Sequence, residues 1–511
     1  MQQINLIGGL HAKPSSSDDL GKIIGEKEYD VQIVIPPVAF VSYPHFEAIE
    51  LATNLAKNNY KVFINESNIS YLDRFEEIYG DAIKSVIKQG SKNYQKIKYY
   101  RLLFKCYDLD GNSEFLFDEL LKDSEYNDAW LASYKKSKVL FFIFSYSRTP
   151  FSAIRWVWKM AEQLKINDPQ VKIFIGGSGL RCLNDDLLKQ IITPNIDGVF
   201  LTHDYGSLDH YLKTGELVNS VINNNGAILR TKVNHYEELF IRPDYSFVDS
   251  EKYLNFRLGT RLLSLSFTRG CVNNCAFCAE PYIFNPYRER EINDVVEEII
   301  ELNKTNNVCR FRFNDSVLNA NPFRIRQLCN CILNKKIKVY WGGMVRAKNT
   351  SLRLLKKMKE AGCRFLWLGM ESASQKTLDR VKKNIRVSDV RKALINMKRA
   401  GIFSVLFIMS FPWETETEFK KTLEFLRKNK DYIDSIYVSS LRVYPNTPVF
   451  QNSEQFGIHL MNASDLTLTD TIPYAEANTA RVSEIKKVWR QVKKTKNKVF
   501  YVENQPIVTE L

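Results

Sequence analysis

The sequence predicts an α/β chain in two halves, a doubly wound parallel sheet followed by an open or partial (β/α)6 barrel, with a short basic helical tail. Three observations predict it. Strand-length apolar runs alternate with helical patterns along the first half. A β-then-α unit then recurs six times. After Gly457 that repeat stops. The runs are continuously apolar rather than alternating, which means strands buried on both faces, as in a parallel sheet covered by helices.

In the first half the strand runs are Val31–Pro37, Lys61–Ser67, Lys138–Ser147, Val171–Gly179 and Asp197–Asp204. Between the first two, Phe46, Ile49, Leu51, Ala52 and Leu55 recur at near-helical spacing. An insertion over residues 71–136, rich in Lys, Tyr and Phe, reads as helical. The result is a Rossmann-like domain, which binds ligands at the carboxyl ends of its strands. The barrel strands are Leu262–Phe267, Cys309–Asp315, Lys338–Val345, Phe365–Ser372, Phe403–Phe411 and Ser435–Tyr444. A TIM-like arrangement of this kind places its functional residues at the strand C-termini. Turn-rich sequence near 223–226 and 242–245 divides the chain into residues 1–230, 231–457 and 458–511. In the tail, Val482, Ile485, Trp489 and Val492 form one helical stripe. Lys486, Lys487, Arg490, Lys493 and Lys494 form the other.

Composition excludes several classes. Of 511 residues, 44% are apolar and 25% charged, an ordinary globular mixture. The excess of 72 basic over 58 acidic residues, +14, permits anionic partners without identifying one. No apolar run approaches the ~18–20 residues of a membrane span. The N-terminus has no basic region before its apolar residues, so a secretory signal is not expected. Nine cysteines are too sparse for a disulfide scaffold. Three of them fall in one short segment, which points to metal chemistry in a reducing, cytoplasmic compartment. Neither a membrane nor a nucleic acid is expected as partner.

That segment is TRGCVNNCAFCAEP, with Cys271, Cys275 and Cys278 spaced C-x3-C-x2-C just after the first barrel strand. Three thiolates on one loop can hold three corners of an iron–sulfur cube and leave the fourth iron open to a small molecule. A structural zinc would want a fourth ligand, usually from a second C-x2-C or H-x3-H pair, and the sequence has neither. A zinc-stabilised binding protein stays the bland alternative.

The motif resembles that of the radical S-adenosylmethionine (SAM) superfamily, and the resemblance runs through the whole second half. It implies a [4Fe–4S] cluster on the three cysteines and SAM on the open iron. One electron would then cleave SAM to methionine and a 5′-deoxyadenosyl radical. It places Phe277 near the adenine. FLWLGMESAS is similar to the family's G-x-E-S strand, making Glu371 and Ser372 candidate SAM contacts. Asp315, in FNDS, ends the second strand where the family often has polar residues facing SAM or substrate. Arg346 would meet the SAM carboxylate as a fork-shaped donor. FPWET resembles the family's G-x-P-G-E-T turn, with Ser410 and Trp413 in place of both glycines.

The pattern from IPP through YPHFEAIELATNLAKNNYKVFINES resembles the cobalamin-binding domain that precedes many radical SAM cores. On that resemblance Pro36 and the Gly176–Gly177 turn are the candidate cobalamin contacts. The family's G-E-G-E segment and the D-x-H-x-x-G cobalt-ligand motif are absent; Asp209 and His210 are adjacent instead. His11, His45, His203 and His210 read as surface or structural residues. The implied function is a cobalamin-dependent radical SAM methyltransferase acting on an unactivated carbon of a peptide or other natural-product small molecule, fed by an external flavodoxin- or ferredoxin-type donor. Ring contraction, cyclisation or peptide crosslinking is the rival outcome. A methylthiotransferase needs three more cysteines ahead of the barrel, where only Cys106 and Cys182 occur.

Overall fold

Each apolar run of the first half forms a strand, and each strand core is buried. The computed structural model describes residues 29–85, 87, 95–96, 99–100, 113–146, 151–201, 205–224, 227–234, 240–257, 259–458, 460, 478–492, 500–502 and 505–507. The readings at His11, Cys106, His203, Lys493 and Lys494 lie outside the described residues. Strands β1 (Tyr29–Ile35), β2 (Val62–Glu66), β3 (Ser137–Ile143), β4 (Lys172–Gly176) and β5 (Gly198–Phe200) are parallel in the order β2-β1-β3-β4-β5. The strand order reverses between β1 and β3, the place where such sheets open a ligand crevice. An antiparallel pair, β6 (Ser220–Asn224) and β7 (Ala227–Arg230), extends the β5 edge and was not anticipated from sequence. The insertion is helical where described, over Ser67–Ser85, Ser113–Lys122 and Ser124–Ala132. It packs onto the sheet through Trp130, whose ring lies 6.4 Å from that of Phe142 on β3 and 4.8 Å from that of Trp156 on the helix Ile154–Asn167.

The second half begins with β8 (Leu262–Leu265) and a short antiparallel pair, β9 (Thr268–Arg269) and β10 (Arg288–Glu289). Strands β11 (Arg310–Phe313), β12 (Tyr340–Val345), β13 (Cys363–Glu371), β14 (Phe403–Ser410) and β15 (Ser435–Ser440) follow. With β8 they form six parallel strands whose spatial order is their chain order, an open (β/α)6 barrel. Period-two alternation separates its two faces. Leu366, Leu368 and Met370 join the main core, while Phe365 and Trp367 join a separate cluster with Val405. That cluster also takes in Phe40 and Tyr43, from the loop that follows β1. The Arg312 guanidinium lies 5.3 Å from the Tyr43 ring and 4.9 Å from that of Trp367. The first domain thus supplies side chains to the packing of the barrel strands.

The tail helix, Asn478–Val492, docks by its predicted stripe, with Ile485 buried and Val482, Trp489 and Val492 packed against the core, and it buries Val488 as well, which the stripe did not include. Arg481 on this helix donates to the carbonyls of Phe411 (3.1 Å) and Glu414 (2.9 Å), just past β14. A hairpin, β16 (Phe500–Val502) with β17 (Gln505–Ile507), follows it and was not expected. No described helix is long and apolar enough to cross a membrane.

Candidate functional site

The carboxyl ends of both parallel sheets border one cavity of about 350 Å³. His45, Glu47, Glu50, Ser145, Tyr146, Ser178 and Tyr205 line it from the first domain, and the cysteine loop and strand ends line it from the barrel.

The cysteine loop spans β9 to β10, where Arg269 stands opposite Arg288. Its entry is held by Asp315, whose carboxylate accepts the N–H groups of Phe267 (3.1 Å) and Thr268. Burial pushes Asp315 up to about 6. Midway, the Ala276 N–H donates to Val381 (2.9 Å) and its carbonyl accepts from Val449 (3.1 Å). Cys271, Cys275 and Cys278 all line the cavity. Burial pushes the Cys271 and Cys278 thiols above their ordinary range, so three thiolates there require positive charge to accompany them. The Arg346 Nη1 lies 3.5 Å from Cys275 Sγ, and iron would supply the rest. Three soft donors lining one cavity fit the donor set of an iron–sulfur cluster with an open corner.

Beside Cys275 stands a second group. The pairing of β13 with β14 shifts register between Gly369 and Glu371, a bulge that aims Glu371 into the cavity at a φ of +67°. Glu371 Oε1 accepts from Lys383 Nζ at 2.5 Å. Gly369 makes room for this pair: a Cβ there would stand 2.7 Å from Glu371 Oε1 and 2.9 Å from Lys383 Nζ. Burial opposes the charge of Lys383, but Glu371 and the Cys275 sulfur outweigh it and hold its pKa above the ordinary value. The Lys383 carbonyl also accepts from the Arg346 guanidinium. The Phe277 ring lies 5.7 Å from Lys383 Nζ and 6.0 Å from the Phe411 ring. One carboxylate, two cations and an aromatic ring suit a zwitterionic amino acid carrying a flat base.

Other sequence-predicted residues are placed differently. Ser372 does not line the cavity; its hydroxyl donates to Glu414 Oε1 (2.5 Å) and accepts from the Ser374 N–H (2.9 Å). It ties β13 to the FPWET turn. In that turn Trp413 packs on Phe411 and Phe456, both at 5.0 Å, under the Arg380 guanidinium at 5.2 Å. An aromatic stack therefore stands at the second of the two glycine positions. Pro36, Gly176 and Gly177 are buried in the first domain and do not line the cavity. A Cβ on Gly176 would meet the Phe141 ring at 2.1 Å. One on Gly177 (φ +115°) would meet the Phe144 carbonyl at 2.6 Å. The two glycines let β4 pack against the exit of β3. His45 lines the cavity and also caps the helix Phe46–Lys57, its Nδ1 accepting the Ala48 N–H (3.3 Å).

Sequence reasoning missed Lys383, Arg269, Glu47 and Glu50. Glu47 accepts from the Ser178 N–H and hydroxyl, each at 2.7 Å, and from the Ser145 hydroxyl. Glu50 accepts from Arg269 Nη2 (2.8 and 3.0 Å) and from the Tyr205 hydroxyl (2.8 Å). Burial raises both carboxyls, against the pull of Arg269 on Glu50. The available signal was the three-residue spacing of Glu47, Glu50 and Thr53, one polar stripe on a helix whose other residues, Asn54 and Lys57 apart, are apolar.

Residues 265–426 match the family model described as the radical SAM superfamily. The chain carries a radical SAM domain. The match runs from the last residue of β8 through most of the helix that follows β14, and so includes all three loop cysteines, Arg346, Glu371 and Lys383. An uncharacterized methyltransferase of Pyrococcus horikoshii is 27% identical over 224 residues, 43% of this chain and 48% of the relative. The anaerobic magnesium-protoporphyrin IX monomethyl ester cyclase of Rubrivivax gelatinosus is 28% identical over 190 residues, 37% of this chain and 34% of the relative. The chain thus spans a third to a half of the length of these curated relatives. Among solved structures, the radical SAM methyltransferase TsrM of Kitasatospora setae superposes with a TM-score of 0.59 at 15% identity, covering 84% of this chain and 76% of that one. The likeness of fold therefore extends beyond the radical SAM domain.

Proposed function

We propose that this chain is a cobalamin-dependent radical SAM enzyme that methylates an unactivated carbon of a peptide or other natural product. The observation that carries the reading is the shared cavity, where three loop cysteines and the Glu371–Lys383–Arg346 group face the ligand-binding edge of a second parallel sheet. A [4Fe–4S] cluster on Cys271, Cys275 and Cys278 supplies, when bound, the electron that cleaves SAM. Glu371 accepts from the SAM ammonium, Arg346 and Lys383 draw its carboxylate, and Phe277 flanks the adenine. Asp315 fixes the turn into the cysteine loop, and Ser372 holds the FPWET turn in register.

Residues 1–230 form the cobalamin domain in this reading, 231–457 the radical SAM domain and 458–511 the tail. A TsrM structure holds cobalamin and a [4Fe–4S] cluster, which supports a corrin in this chain, and we assign it to the cavity edge of the first sheet. Tyr146, Tyr205 and His45 line that edge and would face it. A corrin held there would supply the methyl group. An external flavodoxin- or ferredoxin-type protein supplies the electrons.

Anaerobic reconstitution with iron, sulfide and hydroxocobalamin tests the proposal. About four irons and roughly one corrin per chain are expected on the desalted protein. Iron without corrin would reduce the first domain to a scaffold, and zinc alone would overturn the enzyme reading. The cyclase among the relatives favours a second outcome, ring formation without methyl transfer. S-adenosylhomocysteine together with a methylated product separates the first from the second.

A further inference from the structure

We infer that Glu50 is a positioning residue for the cysteine loop, acting from the first domain through Arg269. The inference rests on the reading that this loop carries the cluster. Arg269 lies two residues before Cys271, at the mouth of the loop. One nitrogen of its guanidinium reaches both Glu50 oxygens, at 2.8 and 3.0 Å, and the Phe240 ring lies 5.5 Å from its carbon. The two side chains keep only 10% and 3% of their exposure, so solvent screens the pair little.

A buried ion pair is a poor device for stability alone, because stripping water from two charges offsets most of their attraction. What it does well is fix geometry. Glu50 is itself held, by the Tyr205 hydroxyl and by its place on the helix Phe46–Lys57. One turn earlier on that helix, Glu47 joins the ends of β3 and β4 through Ser145 and Ser178. One turn later, the Thr53 hydroxyl accepts the Asp244 N–H of the interdomain link at 2.9 Å. A single polar stripe thus connects the sheet, the link and the loop. From the barrel side the same mouth is fixed by Asp315 on Phe267 and Thr268. The loop is therefore set between two domains, and a shift of the first domain would be felt at the first cluster ligand.

The full chain, reconstituted anaerobically as wild type, Glu50→Gln, Glu50→Ala, Arg269→Ala and Arg269→Lys, tests this. The readouts are bound iron, the electron paramagnetic resonance spectrum of the reduced cluster with and without SAM, and its midpoint potential. Glu50→Gln keeps an acceptor for Arg269 but removes the balancing charge. It is expected to keep its iron while the potential moves positive, a change that general loosening of the fold does not predict. Glu50→Ala and Arg269→Ala are expected to lose several-fold in iron retention and in the spectral response to SAM, with Arg269→Lys recovering part. Wild-type iron, potential and SAM response in Glu50→Gln, Glu50→Ala and Arg269→Ala alike would overturn the inference. Wild-type protein that takes up no cluster would instead overturn the reading beneath it.

Discussion

The two sheets present the same ends to the same cavity and equip them differently. At the barrel ends the charged groups Arg346, Glu371 and Lys383 stand in the cavity beside a cysteine, and one of them sits on a bulge at positive φ. At the ends of β3 and β4 the polar groups bond one another. Glu47 takes up Ser145 and Ser178, and Gly177 closes on the Phe144 backbone. Strain and buried charge cost free energy and persist where surrounding structure enforces them for a purpose. The contrast is one of use: the barrel ends turn their charged groups toward the cavity beside the cysteines, while the ends of β3 and β4 satisfy theirs among themselves.

The largest test of that division is the loop itself. Cys271→Ala, Cys275→Ala or Cys278→Ala is expected to abolish the cluster and SAM cleavage, measured as bound iron and 5′-deoxyadenosine. Full retention by any one would break the comparison at its strongest point. Next comes Lys383→Met, which leaves Glu371 buried without its cation. It should cost about 3–5 kcal/mol in denaturant unfolding and weaken SAM binding more than about tenfold in calorimetric titration. Just past β4, Gly177→Ala combines a disfavoured backbone with a carbonyl clash and should cost about 4 kcal/mol. Iron per folded chain should stay unchanged, which sharpens the contrast; a loss of iron would blur it. The smallest effect concerns pH. The folded chain binds the Asp315 proton more tightly than the unfolded chain does. Its contribution to stability therefore falls as pH rises from about 4 to about 6 and is level above, a span of about 3 kcal/mol. Unfolding of Asp315→Asn at about pH 3.5 and about pH 7.5, either side of that window, should show a flatter profile than wild type.

Strands and cysteines were legible because each is a local pattern. Apolar runs such as Val139–Ile143 declare two buried faces, and C-x3-C-x2-C declares a ligand loop without reference to anything distant. Lys383 was not legible, since in DRVKKN nothing separates it from the exposed Lys382 before it. Its burial depends on a bulge in β13 and on the space left by Gly369. Glu50 looked like an ordinary acidic residue because its partner lies 219 positions away. Ser372 and Gly177 were legible as motif members, but the neighbours they meet, Glu414 and the Phe144 backbone, were not. Sequence shows which residues are unusual; only the fold shows what they face.

The loop that carries Phe40 and Tyr43 bears on how such chains can be inherited. Those rings share a cluster with Phe365, Trp367 and Val405, so the barrel strands borrow part of their packing from the other domain. A barrel inherited alone would arrive with that aromatic patch bare, inviting self-association. Recombination between relatives is then confined to exchanges that carry this loop along with its barrel, and the two domains should share one ancestry even where their sequences drift at different speeds.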